Sequence, residues 1–116
     1  MHEFTIATNI VSIVEDALRK RDSLDSSVEQ VEFVAGRLNA VIPQFLRENF
    51  DHLKKEKKFL RDAELVIREK PIIIRCGECG AETEIDEPVF WCGRCSSGNI
   101  EVISGKEMYV DSIQVE

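Results

Sequence analysis

Long apolar runs are missing from this chain, and so are most of the groups that chemistry on a substrate requires. No stretch approaches the roughly 20 consecutive apolar residues of a bilayer-spanning helix, which excludes a membrane helix. The amino-terminal end also lacks the basic-then-apolar layout of a secretory signal, because His2 and Glu3 come first and Glu15 and Asp16 interrupt the apolar positions behind them. Cations are outnumbered: 15 Lys and Arg face 22 Asp and Glu, for a net charge of −7. That balance argues against nucleic acid as a partner, since phosphate binding needs clustered Lys and Arg. Histidine is scarce. His2 stands at the terminus and His52 in a charged helical stretch read as surface, and no serine or cysteine nucleophile is paired with a base, so no enzyme is expected. Internal repeats and low-complexity segments are absent. The expected setting is the reducing cytoplasm.

What is present is patterned. The length of 116 residues suits one small domain carrying a smaller module. Residues 5 to 20 carry Ile6, Ile10, Ile13, Val14, Ala17 and Leu18 at three- and four-residue spacings, which predicts a helix capped by Thr5. Residues 28 to 35 alternate as a strand, with Val31, Phe33 and Ala35 on one face. Pro43 suits the first turn of a second helix, running to about Lys58 and burying Leu46, Phe50 and Leu53. The lysines at its end, Lys54, Lys55, Lys57 and Lys58, complement the helix dipole and are expected to be solvated. Residues 63 to 69 and 107 to 115 alternate again. The last of these reads as a strand returning to the sheet of the first two. The expected fold is therefore α+β: two helices packed on a small mixed three-stranded sheet, with an inserted zinc-ribbon-like four-cysteine module. Residues 1–71 plus 106–116 form the main domain and 72–105 the insertion.

The four cysteines come as two close pairs, Cys76-Gly77-Glu78-Cys79 and Cys92-Gly93-Arg94-Cys95. Two intervening residues let one tight turn aim both sulfurs at a single ion, and Gly77, Gly80 and Gly93 allow the positive φ such turns need. Four thiolates make a closed tetrahedral set, the pattern of structural Zn(II). A reducing compartment disfavours disulfides, and neither pair opens a thioredoxin-type helix. Iron in a rubredoxin-like site has the same ligand chemistry and stays open. The apolar residues around the motifs are too few to fold alone, so metal binding would supply on the order of 10 kcal/mol of folding free energy. Trp91, next to Cys92, is expected to shield the site.

A different chelate is drawn by Met1, His2 and Glu3. The α-amine of Met1, the backbone nitrogen and imidazole of His2 and the backbone nitrogen of Glu3 can close fused rings on one ion. A nitrogen-rich planar set suits Ni(II) or Cu(II).

Met1-His2-Glu3, the segment Val34-Ala35-Gly36-Arg37-Leu38-Asn39-Ala40-Val41-Ile42-Pro43, the paired cysteines and Ser104-Gly105-Lys106-Glu107-Met108 occur here in one order. Together they resemble the HypA/HybF family of hydrogenase nickel-incorporation proteins, over essentially the whole chain. The resemblance implies a nickel metallochaperone for [NiFe]-hydrogenase maturation, in some organisms also serving urease. It implies a HypB-like GTPase and the hydrogenase large-subunit precursor as partners. Nickel would be held by Met1, His2 and Glu3, and zinc by Cys76, Cys79, Cys92 and Cys95. Some members add a carboxylate from the loop before the second helix. Asn39, Ala40, Val41 and Ile42 stand there in this chain, which favours the planar four-nitrogen site. A zinc-ribbon adaptor that transports no metal is the alternative.

Overall fold

A computed structural model describes residues 2–116; Met1 lies outside the described residues. The first helix, α1 (Glu3–Lys20), buries Glu3, Ile6, Ala7, Ile10, Val11, Val14 and Leu18. It begins earlier than expected. The Ile6 amide donates to the His2 carbonyl at 2.8 Å, so His2 takes the cap position and Thr5 lies within the first turn. No side chain caps the end; the acidic residue in that turn is Glu3, with Arg19 and Lys20 in the last, both signs matching the dipole. Ile13, expected in the core, is 47 % exposed.

Strand β1 (Val28–Gly36) follows, then a 3-10 turn at Arg37–Asn39 and α2 (Pro43–Lys54), with Pro43 at the start as expected. Helix α2 buries Leu46 and Phe50 and packs against α1. It stops before Lys58, because a second 3-10 turn (Lys58–Leu60) carries Phe59 and Leu60 into the core. The lysine run is accordingly not all solvated. Lys54 Nζ donates to the Ala63 carbonyl at 2.8 Å and lies 3.2 Å from Asp51, while Lys57 reaches Glu15 of α1 at 3.3 Å.

Strand β2 (Glu64–Lys70), then β3 (Ile72–Cys76), β4 (Glu82–Ile85), β5 (Ile100–Ser104) and β6 (Met108–Val115) complete the chain. The sheets are two, ordered β2-β1-β6 and β4-β3-β5. The last strand thus returns beside the first, as its alternation predicted. In the second sheet both pairings are antiparallel, and Arg75 lies opposite Glu82 on one side and Glu101 on the other. The architecture is the expected α+β arrangement of two helices, small sheets and a four-cysteine cluster.

By its contacts the chain divides into two compact units. One holds Met1–Phe33, Val41–Arg68 and Tyr109–Glu116, the other Val34–Ala40 and Glu69–Met108. The core of the first is built on Ile10 and Val14 of α1, Val31 and Phe33 of β1, Leu46 and Phe50 of α2, and Leu60. The second buries Val34, Ala35, Ile72, Ile74, Cys76 and Cys92.

Within the second unit, the end of β1 is locked to the segment before β6. The Asn39 amide nitrogen donates to the carbonyls of Gly36, Lys106 and Glu107, and the Leu38 amide donates to Gly105 at 2.9 Å. The Glu107 carboxylate accepts from the Gly105 amide at 2.6 Å and from Ser104 Oγ at 3.3 Å. Its own amide and that of Gly105 hold this carboxyl below the usual range. Gly36 allows the close approach, since a Cβ there would fall on the Gly105 carbonyl. Because the obstacle is backbone, Gly36→Ala should cost about 2–3 kcal/mol, read as a lower urea midpoint with an unchanged slope.

Candidate metal centres

Cys76 ends β3, and the chain then turns back on itself. The Gly80 amide donates to the Cys76 carbonyl at 3.0 Å, and the Cys76 amide to Ala81 at 2.9 Å. Gly80 takes φ 75°, the left-handed region, where the absence of a Cβ matters. The second turn repeats the pattern: the Ser96 amide donates to Cys92 at 2.9 Å and the Cys92 amide to Ser97 at 2.8 Å. Here a serine, Ser96, holds the left-handed position at φ 62°. Of the three glycines expected to supply positive φ, only Gly80 does. Gly77 serves by being small, because a Cβ would strike the Asn99 side chain.

These turns bring all four sulfurs within 4.8 Å of one another. Cys76 and Cys95 Sγ are 3.5 Å apart, Cys79 and Cys92 Sγ 3.6 Å. Such spacings are far from the roughly 2.05 Å of a disulfide. Four sulfurs held tetrahedrally at about 2.3 Å from one ion would stand about 3.8 Å apart. The donor set therefore fits one tetrahedral ion.

Backbone amides prepare the first cysteine of each pair for charge. Cys76 Sγ accepts from Glu78 and Cys79 at 3.3 and 3.4 Å, Cys92 Sγ from Arg94 and Cys95 at the same distances. The Cys95 amide, then that of Arg94, brings the Cys92 thiol down to about 6. The Cys79 amide leads the causes that lower Cys76. The opposite holds for Cys95. The Ser97 amide favours its thiolate, yet the Cys76 sulfur, burial and the Cys92 and Cys79 sulfurs together push it up to about 12. Four thiolates this close repel one another, so full deprotonation calls for a bound cation. Cys76 and Cys92 are buried, Cys79 and Cys95 exposed. Trp91, expected to shield the site, is 58 % exposed.

The amino-terminal candidates are arranged differently. His2 is exposed at the cap position of α1, and Glu3 behind it is buried. Glu3 lies within α1, where a cap at Thr5 would have left it upstream of the helix. Its Oε2 accepts the Ile42 amide at 3.1 Å, at the start of α2. The chain's amino group, then this amide, hold the Glu3 carboxyl down at about 2. The reach of Glu3 to α2 was missed in the sequence, where the signal was slight: Ile42, just before Pro43, cannot cap its own helix with a side chain. Asn39, in the loop before α2, is committed to backbone carbonyls. His52 is an exposed residue of α2, as expected. Among the described residues, the four cysteines are the group of His, Cys, Asp or Glu side chains that could surround an ion.

A family model described as hydrogenase/urease nickel incorporation, metallochaperone, HypA, matches residues 1–115. The chain belongs to the HypA family. Sequence relatives agree: a hydrogenase maturation factor HypA from Desulfatibacillum aliphaticivorans is 41 % identical over 115 residues, covering 99 % of this chain and 87 % of the relative. A second, from Moorella thermoacetica, is 34 % identical over 116 residues, the whole of both chains. Among solved structures, the nickel metallochaperone HypA from Helicobacter pylori superposes with a TM-score of 0.70 at 22 % identity, over 99 % of this chain and 97 % of that one, which speaks to the fold. The HypA resemblance read from the sequence is therefore correct. It makes the chain a member of the hydrogenase/urease nickel-incorporation metallochaperones, equipped with a four-cysteine site whose geometry is consistent with zinc. Among the described residues, no helix is long and apolar enough to cross a membrane.

Proposed function

We propose that the chain carries Ni(II) at its amino terminus and delivers it to the [NiFe]-hydrogenase large-subunit precursor, with urease as a further recipient, in the cytoplasm. Residues 1–71 plus 106–116 serve as the nickel domain and 72–105 as an inserted zinc domain, in which Cys76, Cys79, Cys92 and Cys95 hold structural Zn(II). A HypB-like GTPase acts with it. The observation that carries this reading is the family match from residue 1 onward, with His2 standing exposed at the point where the match begins.

The donors are the Met1 amine, the backbone nitrogen and imidazole of His2, and the backbone nitrogen of Glu3. The Glu3 carboxylate plays a separate part, because by holding the Ile42 amide it fixes the base on which the chelate sits. The two backbone amides and the α-amine, of pKa about 7.7–8.0, give up protons to bind, so nickel affinity rises with pH and falls in acid. A docked recipient offering fixed ligands then competes for the ion. The closed cysteine set, with no vacant position, suits scaffold rather than cargo.

The test is a nickel titration, with metal analysis, of protein made with Met1 as its true first residue. The expected result is one zinc that stays with the protein and one exchangeable Ni(II), square-planar by its absorption spectrum. Zinc alone, with no specific nickel, would instead make this a zinc-ribbon adaptor.

A further inference from the structure

Trp91 is the single tryptophan of the chain, and it directly follows Phe90. The two are 58 % and 43 % exposed, and Pro88 just before them is exposed as well. Apolar side chains scattered singly over a surface need no explanation. Two consecutive large aromatics in the open do, the more so because Cys92, the next residue, is buried.

The segment that carries them is held at both ends. Strand β4 pairs with β3 as far as Ile85, opposite Ile72, and the Arg37 guanidinium donates to Asp86 at 3.2 Å. On the far side the Cys92 amide donates to Ser97 at 2.8 Å, and the Cys92 sulfur belongs to the four-sulfur cluster. The aromatics are thus presented from a fixed base, which lowers the entropy lost when a partner buries them.

The charge around them is lopsided. Residues 72–105 hold six carboxylates, two arginines and no lysine, and a zinc ion on four thiolates adds −2. Arg75 is engaged between Glu82 at 3.5 Å and Glu101 at 3.6 Å, while Arg94 adjoins the thiolates of Cys92 and Cys95 in sequence. Glu84 and Glu87, just ahead of the aromatic pair, are exposed and have no cation paired to them among the described residues. Such a surface repels phosphate, which excludes nucleic acid and anionic lipid. It repels a second copy of the chain for the same reason. What fits it is a protein pocket, apolar at its centre and edged by lysine or arginine.

We propose that Phe90 and Trp91 are the anchor by which this chain docks on its nickel recipient, in such a cation-edged pocket. That the partner is the recipient rests on the delivery function above; the chemistry of the anchor does not. Tryptophan is among the side chains that most often dominate a protein interface, and the neighbouring carboxylates steer the encounter. The closed cysteine site then serves docking too, since it fixes the residue next to Trp91.

The experiment is isothermal titration of purified hydrogenase large-subunit precursor with the full chain, zinc bound and nickel withheld, over a salt series. Affinity should fall as salt rises. Trp91→Ala should weaken binding by about 30-fold or more, while zinc content, far-UV circular dichroism and the nickel titration stay unchanged. Glu84→Lys with Glu87→Lys should weaken it by about tenfold, mainly through slower association. Ile13→Ala, at an exposed apolar residue of the other unit, should leave the affinity as it was. Failure of the intact chain to bind overturns the proposal, as does binding that Trp91→Ala or the double charge reversal leaves unchanged. Binding that Ile13→Ala weakens as much as Trp91→Ala overturns it as well. Because nickel is withheld, cargo is tested apart: docking through Trp91 by a chain without specific nickel would sink delivery and uphold the anchor.

Discussion

His2→Ala should abolish specific Ni(II) binding while zinc content and thermal unfolding stay at their original values. Losing the imidazole removes one donor and breaks the chelate ring it closes. The cost should therefore exceed the roughly 10–100-fold that loss of a mere outer-shell partner brings. Folding is spared because the His2 side chain is exposed, and its contribution to α1 is the backbone carbonyl that accepts from Ile6, which alanine keeps. A companion protein with a few residues added before Met1 should behave in the same way, since the α-amine becomes an amide with no basic lone pair. Isothermal titration and atomic-emission metal analysis on the three proteins check this. Full-affinity nickel binding by the extended chain would rule out the terminal chelate, and loss of zinc together with nickel would rule out two separate sites.

The second large effect is expected at the cysteines. Cys92→Ser, or zinc removal by a strong chelator, should unfold the Glu69–Met108 part of the second unit while leaving α1 and α2 folded. Structural zinc binding is worth about 10–16 kcal/mol in small modules, as much as the whole stability of many domains. Within Glu69–Met108 the buried side chains are few, with Ile72 and Ile74 the largest beside the cysteines themselves. Nothing else there replaces the metal. Hydrogen exchange should show protection lost across β3, β4 and β5 and retained in the helices, with full recovery when zinc returns. Retained protection in β3 after zinc removal would mean that packing, not metal, holds the sheet.

Most of the architecture was legible because it rests on strong local signals. Alternation marked β1, β2 and β6, and the final strand's pattern correctly implied a return to the first sheet. The paired CxxC motifs located the four-sulfur cluster, since their turn geometry is set by the spacing alone. The missed features depend on groups far apart in sequence. Thr5 looked like a cap, yet burial of Glu3 and its bond to Ile42 draw the helix back to the third residue. The second helix looked four residues longer, until Phe59 and Leu60 pulled the chain into the core. Ile13 sits in a stripe that periodicity reads as buried, but periodicity does not report how wide a surface the rest of the fold can cover. Asn39 gave no hint of its role, because the three carbonyls it serves include two from residues 67 and 68 positions onward. Ser96 was overlooked for a simpler reason: glycine was expected wherever the left-handed region was needed.

The burial of Glu3 has a consequence for how cargo changes hands. One peptide unit, about 3.8 Å between consecutive Cα atoms, is all that separates the exposed His2 from a residue clamped to a second helix. On the proposed site this is a very short leash. The ion samples a volume only a few ångströms across, so a recipient docked in the right orientation meets it at high effective concentration. The same leash limits reach. Competing ligands must be brought to the mouth of α1, and a recipient that binds elsewhere on the surface gains nothing from the tether. Selectivity in delivery then follows from docking geometry, with no need for a moving loop.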